Sequence, residues 1–319
     1  MSTHLPQSKH FTLHQLTDGI YAAISIEGGG ATSNAGIVDL GDRTLIFDTF
    51  LTPQAAEDLR DAATHLTGRP VSLVVNSHWH GDHIQGNCIF APDVALIATG
   101  RTRELMATRA DEDIDWTKVN APAQLQSLMR QLEEEQDAAR REDLALKVSE
   151  SREVVETLWK LALRLPNETF NSRLTFHGTK RTAELLATDG GHTESDAFLL
   201  LPEDRLAFAG DLLFVQSHLW MGHGNPDTWI GTAAMVTTLD FQTVVPGHGP
   251  LGTKDDFETE ITYIQALLKL AGEAISAGKT ADQTAETPIP AEFADWRWRE
   301  GFGYNMHFLH GYLSKRQQS

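Results

Sequence analysis

The chain carries a single cysteine, Cys88, in 319 residues. No intrachain disulfide can form, so cross-links set neither the fold nor the compartment. No stretch approaches the roughly 18 consecutive apolar residues of a membrane span. Met1–Leu16 has no basic region followed by an apolar one, the pattern of a secretory leader. These absences predict a cytoplasmic protein with no membrane partner. Positive charge is scarce too: 26 Lys and Arg against 44 Asp and Glu give a formal net charge of −18. A chain this acidic repels phosphate backbones, so nucleic acid is not an expected partner and a small-molecule substrate is. Short repeats and low-complexity tracts are lacking as well. What the chain has in quantity is histidine, fourteen residues, and neutral imidazole is a common ligand for borderline metals.

Periodicity predicts an α/β protein. Phe11–Leu16, Ile20–Ile26, Asn34–Leu40 and Thr44–Phe47 read as antiparallel strands separated by glycine-rich turns. Thr52–Leu66 reads as a helix with Thr52 as N-cap and Pro53 in its first turn. Val71–Asn76 and Asp93–Ala98 read as strands, and Gly100–Arg109 as a helix. From about residue 116 to 165 strand signals vanish. Leu125, Leu128, Met129 and Leu132 follow helical spacing, as do Val154, Val155, Leu158, Trp159 and Ala162. This predicts a two-helix insertion, either a surface hairpin, a cap over a site or a contact between copies of the chain. Strands return at Phe170–Phe176, Arg181–Ala187, Ala197–Leu201, Arg205–Ala209 and Thr243–Val245. Helices are expected near Asp227–Leu239 and Lys254–Ala277, and an aromatic helical segment at about 292–315. The order fits one domain over 1–319, with two packed sheets and helices outside, a four-layer αββα arrangement.

The chemistry concentrates in Asn76-Ser77-His78-Trp79-His80-Gly81-Asp82-His83, directly after an apolar strand. His78 and His80 are two apart and point together if the backbone is extended. Gly81 lets the chain turn and present Asp82 and His83 as a second pair. Buried imidazole or carboxylate without a partner costs several kcal/mol or titrates away. A metal ion removes that cost.

This His-x-His-x-Asp-His run resembles the signature of the metallo-β-lactamase superfamily. Gly191-His192-Thr193, Ala209-Gly210-Asp211 and Pro246-Gly247-His248-Gly249 resemble its further motifs, in order, and the upstream Leu45-Ile46-Phe47-Asp48 resembles its strand ending in aspartate. The resemblance spans roughly residues 11 to 265. It implies one metal on His78, His80 and His192, a second on Asp82, His83 and His248, and Asp211 bridging them. It implies two Zn2+, with Fe or Mn as alternatives, and a metal-bridged hydroxide that attacks a small carbonyl substrate: an ester, lactone, thioester or β-lactam-like amide. Asp82 is also a candidate to orient the nucleophile or carry its proton. Asp48 is expected to accept hydrogen bonds from the ligand loop.

Two departures narrow the expectation. The β-lactamases of this superfamily usually have cysteine or serine where Asp211 stands, so the chain looks closer to the glyoxalase II, lactonase and phosphodiesterase branches. Glu194-Ser195-Asp196 follows the Gly-His-Thr motif where Pro-Gly is frequent. The alternatives are phosphodiester hydrolysis and iron-dependent redox or sulfur chemistry, though no flavin domain fits after residue 265. Of the loop histidines, His218 is taken as a catalytic candidate at the oxyanion, with His223 beside it. Trp79 is expected as pocket wall or support, Cys88 as a buried small hydrophobe, and His307 and His310 as surface or capping groups.

Overall fold

The computed structural model describes residues 4–316. Four strands open it: β1 (Phe11–Thr17), β2 (Ile20–Ser25), β3 (Ala35–Asp39) and β4 (Thr44–Phe47), paired antiparallel in sequence order. Helix α1 (Pro53–Thr67) crosses over to β5 (Val71–Val75), and this crossover makes β4 and β5 parallel. The ligand-bearing loop follows β5 and closes into the single turn α2 (Gly81–Ile84). β6 (Ala95–Thr99) then leads to α3 (Gly100–Leu105), α4 (Asp111–Glu134) and α5 (Ala138–Thr157), and β7 (Glu168–Phe170) completes a seven-stranded sheet.

The second sheet takes β8 (Arg173–His177), β9 (Thr182–Ala187), β10 (Ala197–Leu201) and β11 (Leu206–Phe214) as an antiparallel meander. Helix α6 (Pro226–Thr237) carries the chain to β12 (Thr243–His248), parallel to β11. The helices α7 (Lys254–Ser276), α8 (Ala281–Ala285) and α9 (Glu300–Arg316) end the chain. Among the described residues no helix is long and apolar enough to cross a membrane.

Alternation along the central strands explains the layers. Leu45 and Phe47 of β4 face the second sheet, in one cluster with Leu73, Val75, Leu185, Leu199 and Phe208. Ile46 and Val74 point the other way, onto Ala55, Leu59 and Ala63 of α1. The outer face of the second sheet is covered by α6 and α7 through Ala233, Val236 and Phe257. The result is the predicted αββα order.

Four expectations change in detail. Phe170–Phe176 is two strands, β7 and β8, which belong to different sheets; the break falls at Asn171–Ser172. Thr52 occupies the N-cap position of α1, but its hydroxyl donates to the Gly30 carbonyl at 2.8 Å and caps nothing. The insertion starts earlier than about 116. α3 runs through a wide π-type turn, Met106–Ala110, straight into α4 at Asp111, because nothing there breaks the helix. Its packed face is also thinner than the spacing suggested: Trp159 is 78% exposed and Met129 39%.

Candidate metal centre

Strand ends place the polar groups. At the end of β4, Asp48 sits at φ 60°, fully buried, a left-handed conformation that aspartate tolerates. Its carboxylate accepts from the Ser77 backbone N–H and the Ser77 hydroxyl, both at 2.7 Å. It also accepts from His83 Nδ1 at 2.8 Å. That last bond turns His83 Nε2 inward, the usual way a carboxylate orients a ligating imidazole. Asn76, hydrogen-bonded to the His83 carbonyl at 3.0 Å and to Asn87, braces the same loop. The role expected of Asp48, holding the loop that carries the histidines, matches these contacts.

The histidines and aspartates then converge from both sheets. His78, His80, His192 and Asp211 form one group and Asp82, His83 and His248 another, each with one donor atom apiece within 4.8 Å of the others in its group. Asp211, on β11, faces both. Its Oδ2 lies 3.2 Å from His192 Nε2 and 3.9 Å from His78 Nε2. Its Oδ1 lies 3.0 Å from His83 Nε2 and 3.4 Å from His248 Nε2. Gly247 makes the room, since a Cβ there would collide with Asp211 Oδ1. His78 Nε2, His83 Nε2 and Asp211 Oδ1 are buried and have no hydrogen-bond partner. Inward-facing donor atoms left unpaired in this way fit a pair of cations, and the imidazole and carboxylate set suits zinc, iron or manganese.

The two groups differ electrostatically. Burial pushes the His78 and His80 imidazoles well below their ordinary value and holds His192 down at about 4, so all three are neutral donors. Around His248, burial works downward, but the Asp211 and Asp82 carboxylates override it and raise the ring to about 10. Burial works upward on Asp82, and His83 and His248 bring it down to about 2.

The surroundings sort the remaining candidates. His223 Nδ1 is 2.8 Å from His80 Nε2, the ring nitrogen facing away from the ligand cluster. Trp79 is buried against His80 and His223 at 4.7 and 4.8 Å between ring centroids, so it is support rather than wall. His218 stands apart. It is fully buried, its Nδ1 is 2.7 Å from the Tyr263 hydroxyl, and its ring packs among Tyr263, Trp296 and Phe302. His223 lines the cavity over the ligands and His218 does not. Glu194, in the divergent Glu-Ser-Asp stretch, is tied to Arg101 and Arg109, and Asp196 accepts from the Thr193 backbone and hydroxyl. That stretch therefore anchors the start of the helical insertion. His307 pairs with Asp282 at 3.4 Å and His310 Nε2 bonds to the Lys279 carbonyl at 2.9 Å, both on the surface.

A cavity of about 1160 Å³ lies over the ligands. One wall is α5, through Arg140, Asp143, Leu146, Lys147 and Glu150; another is Trp296–Glu300, ahead of α9. Glu150 was not foreseen. Its signal was present: residues 140, 143, 147 and 150 recur every three to four positions and mark one helix face. Burial, then the Asp82 charge, raises the Glu150 carboxyl. Lys147 closes the rim, bonding Glu300 at 2.5 Å and Asp143 at 3.0 Å.

Two sheets enclosed by helices, with a His/Asp cluster at their shared edge, define a metal-binding αββα protein. Residues 28–248 match the family model described as the metallo-beta-lactamase superfamily, and the chain belongs to that family. It is 25% identical over 297 residues to the 2,4-dinitroanisole O-demethylase subunit alpha of Nocardioides sp. (strain JS1661), covering 90% of this chain and 70% of the relative. Among solved structures it resembles a metallo-beta-lactamase from Pontibacter korlensis: TM-score 0.58, 18% identity, 80% of this chain and 99% of that one. FIM-1 from Pseudomonas aeruginosa, in its mono-zinc form, gives TM-score 0.58 at 16% identity over 82% of this chain and 98% of that one. At such identities the solved structures speak for the fold alone.

Proposed function

We propose that the chain is a two-metal hydrolase that cleaves a carbon–oxygen or similar acyl bond in a small organic substrate. The observation that carries this reading is Asp211, with one carboxylate oxygen turned to each group of histidines. His78, His80 and His192 would hold one cation, Asp82, His83 and His248 the other, with Asp211 between them and zinc the expected metal. Bound there, the cations would acidify a water and polarise the bond to be cut. The residues do the rest. Asp82 lines the cavity with its side chain one-fifth exposed, and is the carboxylate positioned to take the nucleophile's proton. Asp48 keeps His83 in one orientation, and His223 does the same for His80. His218, the candidate for assisting the oxyanion, lies among Tyr263, Trp296 and Phe302 outside the cavity lining, whereas His223 of the same loop lines the cavity.

The test is elemental analysis of protein purified without chelator, followed by turnover of ester, lactone, thioester, β-lactam and phosphodiester substrates in ¹⁸O-labelled water, with and without oxygen. About two equivalents of metal, label in the product and no need for oxygen support the reading. An oxygen requirement overturns it in favour of iron-dependent redox chemistry.

A second reading rests on the Nocardioides relative, named as an O-demethylase subunit. The bond cut here would then be an aryl methyl ether. Hydrolysis adds the water oxygen and releases methanol, whereas oxidation consumes oxygen and a reductant and releases formaldehyde. Incubation with 2,4-dinitroanisole and analysis of the one-carbon product separates the two.

A further inference from the structure

Deepening the hydrolase reading above, and resting on it, we propose that Trp220 and Trp298 form a built recognition corner for an aromatic ring of the substrate. Both line the cavity over the ligand cluster. Their ring centroids are 6.2 Å apart with the planes at 46°, and Tyr304 stands 6.2 Å from Trp220 and 6.3 Å from Trp298. The two indoles are too close and too tilted for a ring to slide between them. A ring packs instead into the angle they make, against one face and one edge, the arrangements aromatic pairs prefer.

Three features show that the corner is held in place. Each indole rests on a glycine: a Cβ on Gly222 would come within 2.5 Å of the Trp220 ring, and a Cβ on Gly301 within 2.5 Å of the Trp298 ring. Trp298 sits at φ 51°, a left-handed conformation strained for so bulky a side chain. The two stretches of chain that carry the indoles are also stitched together. Ser217 and Arg297 form a parallel bridge, with the Arg297 N–H donating to the Gln216 carbonyl at 2.9 Å and the His218 N–H to the Arg297 carbonyl at 3.0 Å. Buried Asn305 adds two bonds, accepting from the Met221 N–H at 3.0 Å and donating to the Leu219 carbonyl at 2.6 Å. Despite this anchoring, Trp298 remains 39% exposed in the wall of the cavity. Strain, glycine seats and fixed backbones spent on aromatic faces that stay open to the cavity point to a ligand. Leu146 of α5 adds an aliphatic surface to the same cavity.

The substrate class this predicts is an aromatic ester, thioester or ether whose ring lies one or two bonds from the group that is cut. The experiment compares benzyl acetate with cyclohexylmethyl acetate, equal in heavy-atom count and both with a primary alcohol as leaving group, and measures binding of unreactive 4-nitrobenzyl alcohol by calorimetry on the purified protein. The wild type is expected to show a lower KM for the benzyl ester and measurable binding of the alcohol. Trp298→Leu and Trp220→Leu should each raise the benzyl KM and weaken binding of the alcohol about five- to tenfold, bringing the benzyl KM close to the cyclohexylmethyl KM. Trp298→Phe should keep most of the preference. Gly301→Ala, which displaces the indole without removing it, should lose the preference and covers the case in which the leucine variants fail to fold. Equal KM values for the two esters, with binding unaffected by the leucine variants, would overturn the corner while leaving the hydrolase reading intact. Binding that depends on the two tryptophans in a protein that hydrolyses neither ester would keep the corner and exclude simple acyl esters from the substrates of the hydrolase reading.

Discussion

The ligand cluster at the floor of the cavity and the helical roof above it are made from different materials. The floor sits on strand ends and short loops, with His78, His83, His192 and Asp48 wholly buried, His78 bonded to Ser77 and His83 to Asp48. The roof is α5 and the 296–300 turn. Only Val148 and Thr157 of α5 are buried, and the roof is joined to itself by exposed ion pairs such as Lys147–Glu300. In the proposed reading, the groups that would hold cations stand on the rigid scaffold. The groups that would touch a substrate stand on segments that sequence change can reshape at little cost to the core. Chemistry and specificity would thereby be separated in space.

Mutations test that separation. On the floor, Asp211→Ala removes the group facing both triads, and we expect a rate loss of at least about 1000-fold, roughly 4 kcal/mol of barrier. Metal content should fall below two equivalents; retention of both metals would count against the bridge. Asp48→Ala leaves Ser77 and His83 without their buried acceptor and should cost about 3–5 kcal/mol of stability, read from denaturant unfolding of the chelated protein.

Glu260 lies under the floor. It accepts from the Phe214 N–H at 2.8 Å and from Trp229 Nε1 at 3.1 Å. Burial raises its carboxyl well above the ordinary range. The stability its proton confers is complete below the unfolded value near about 4.3 and is lost as pH rises toward the folded value. Glu260→Gln should therefore flatten the dependence of Tm on pH above that point, and an unchanged slope would show that the buried carboxyl is not the cause.

On the roof, Lys147→Ala should change stability by no more than about 1 kcal/mol, because the pair is part-exposed. Its effect should appear in KM for bulky substrates and not in metal content. The smallest effect is expected from Cys88→Ser. Burial raises that thiol, so little thiolate exists to act as nucleophile, and the rate should stay within about twofold. A larger loss, at unchanged stability, would mean a role for Cys88 in the reaction.

The same contrast explains what was legible in the sequence. The floor could be read because its residues are close in sequence or carried in short motifs, and because alternation such as that of Leu45, Ile46 and Phe47 reports which face is buried. The crossing from one sheet to the other at Asn171–Ser172 could not, since alternation runs through it and periodicity does not say which sheet a strand joins. His218 and His223 occupy one loop in similar company. What separates them is Tyr263 and Phe302, which meet His218 from distant helices. The pairing of Trp220 with Trp298 is likewise a long-range contact between segments 78 positions apart, and nothing local announces it. Helix α8 was missed for a different reason: five residues are too few to show a period.

The division of the chain between the sheets has a consequence for folding. β1 to β7 run without interruption from Phe11 to Phe170, and β8 to β12 from Arg173 to His248. Apart from β7, which pairs with β6 across the helical insertion, each sheet can thus gather from neighbours in sequence, which keeps loop closure short. The first contributes His78, His80, Asp82 and His83, and the second His192, Asp211 and His248. Cations held there, as the proposed reading has them, would rivet the two sheets together. Stripping them is expected to speed amide exchange along the seam between the sheets well before either sheet opens by itself.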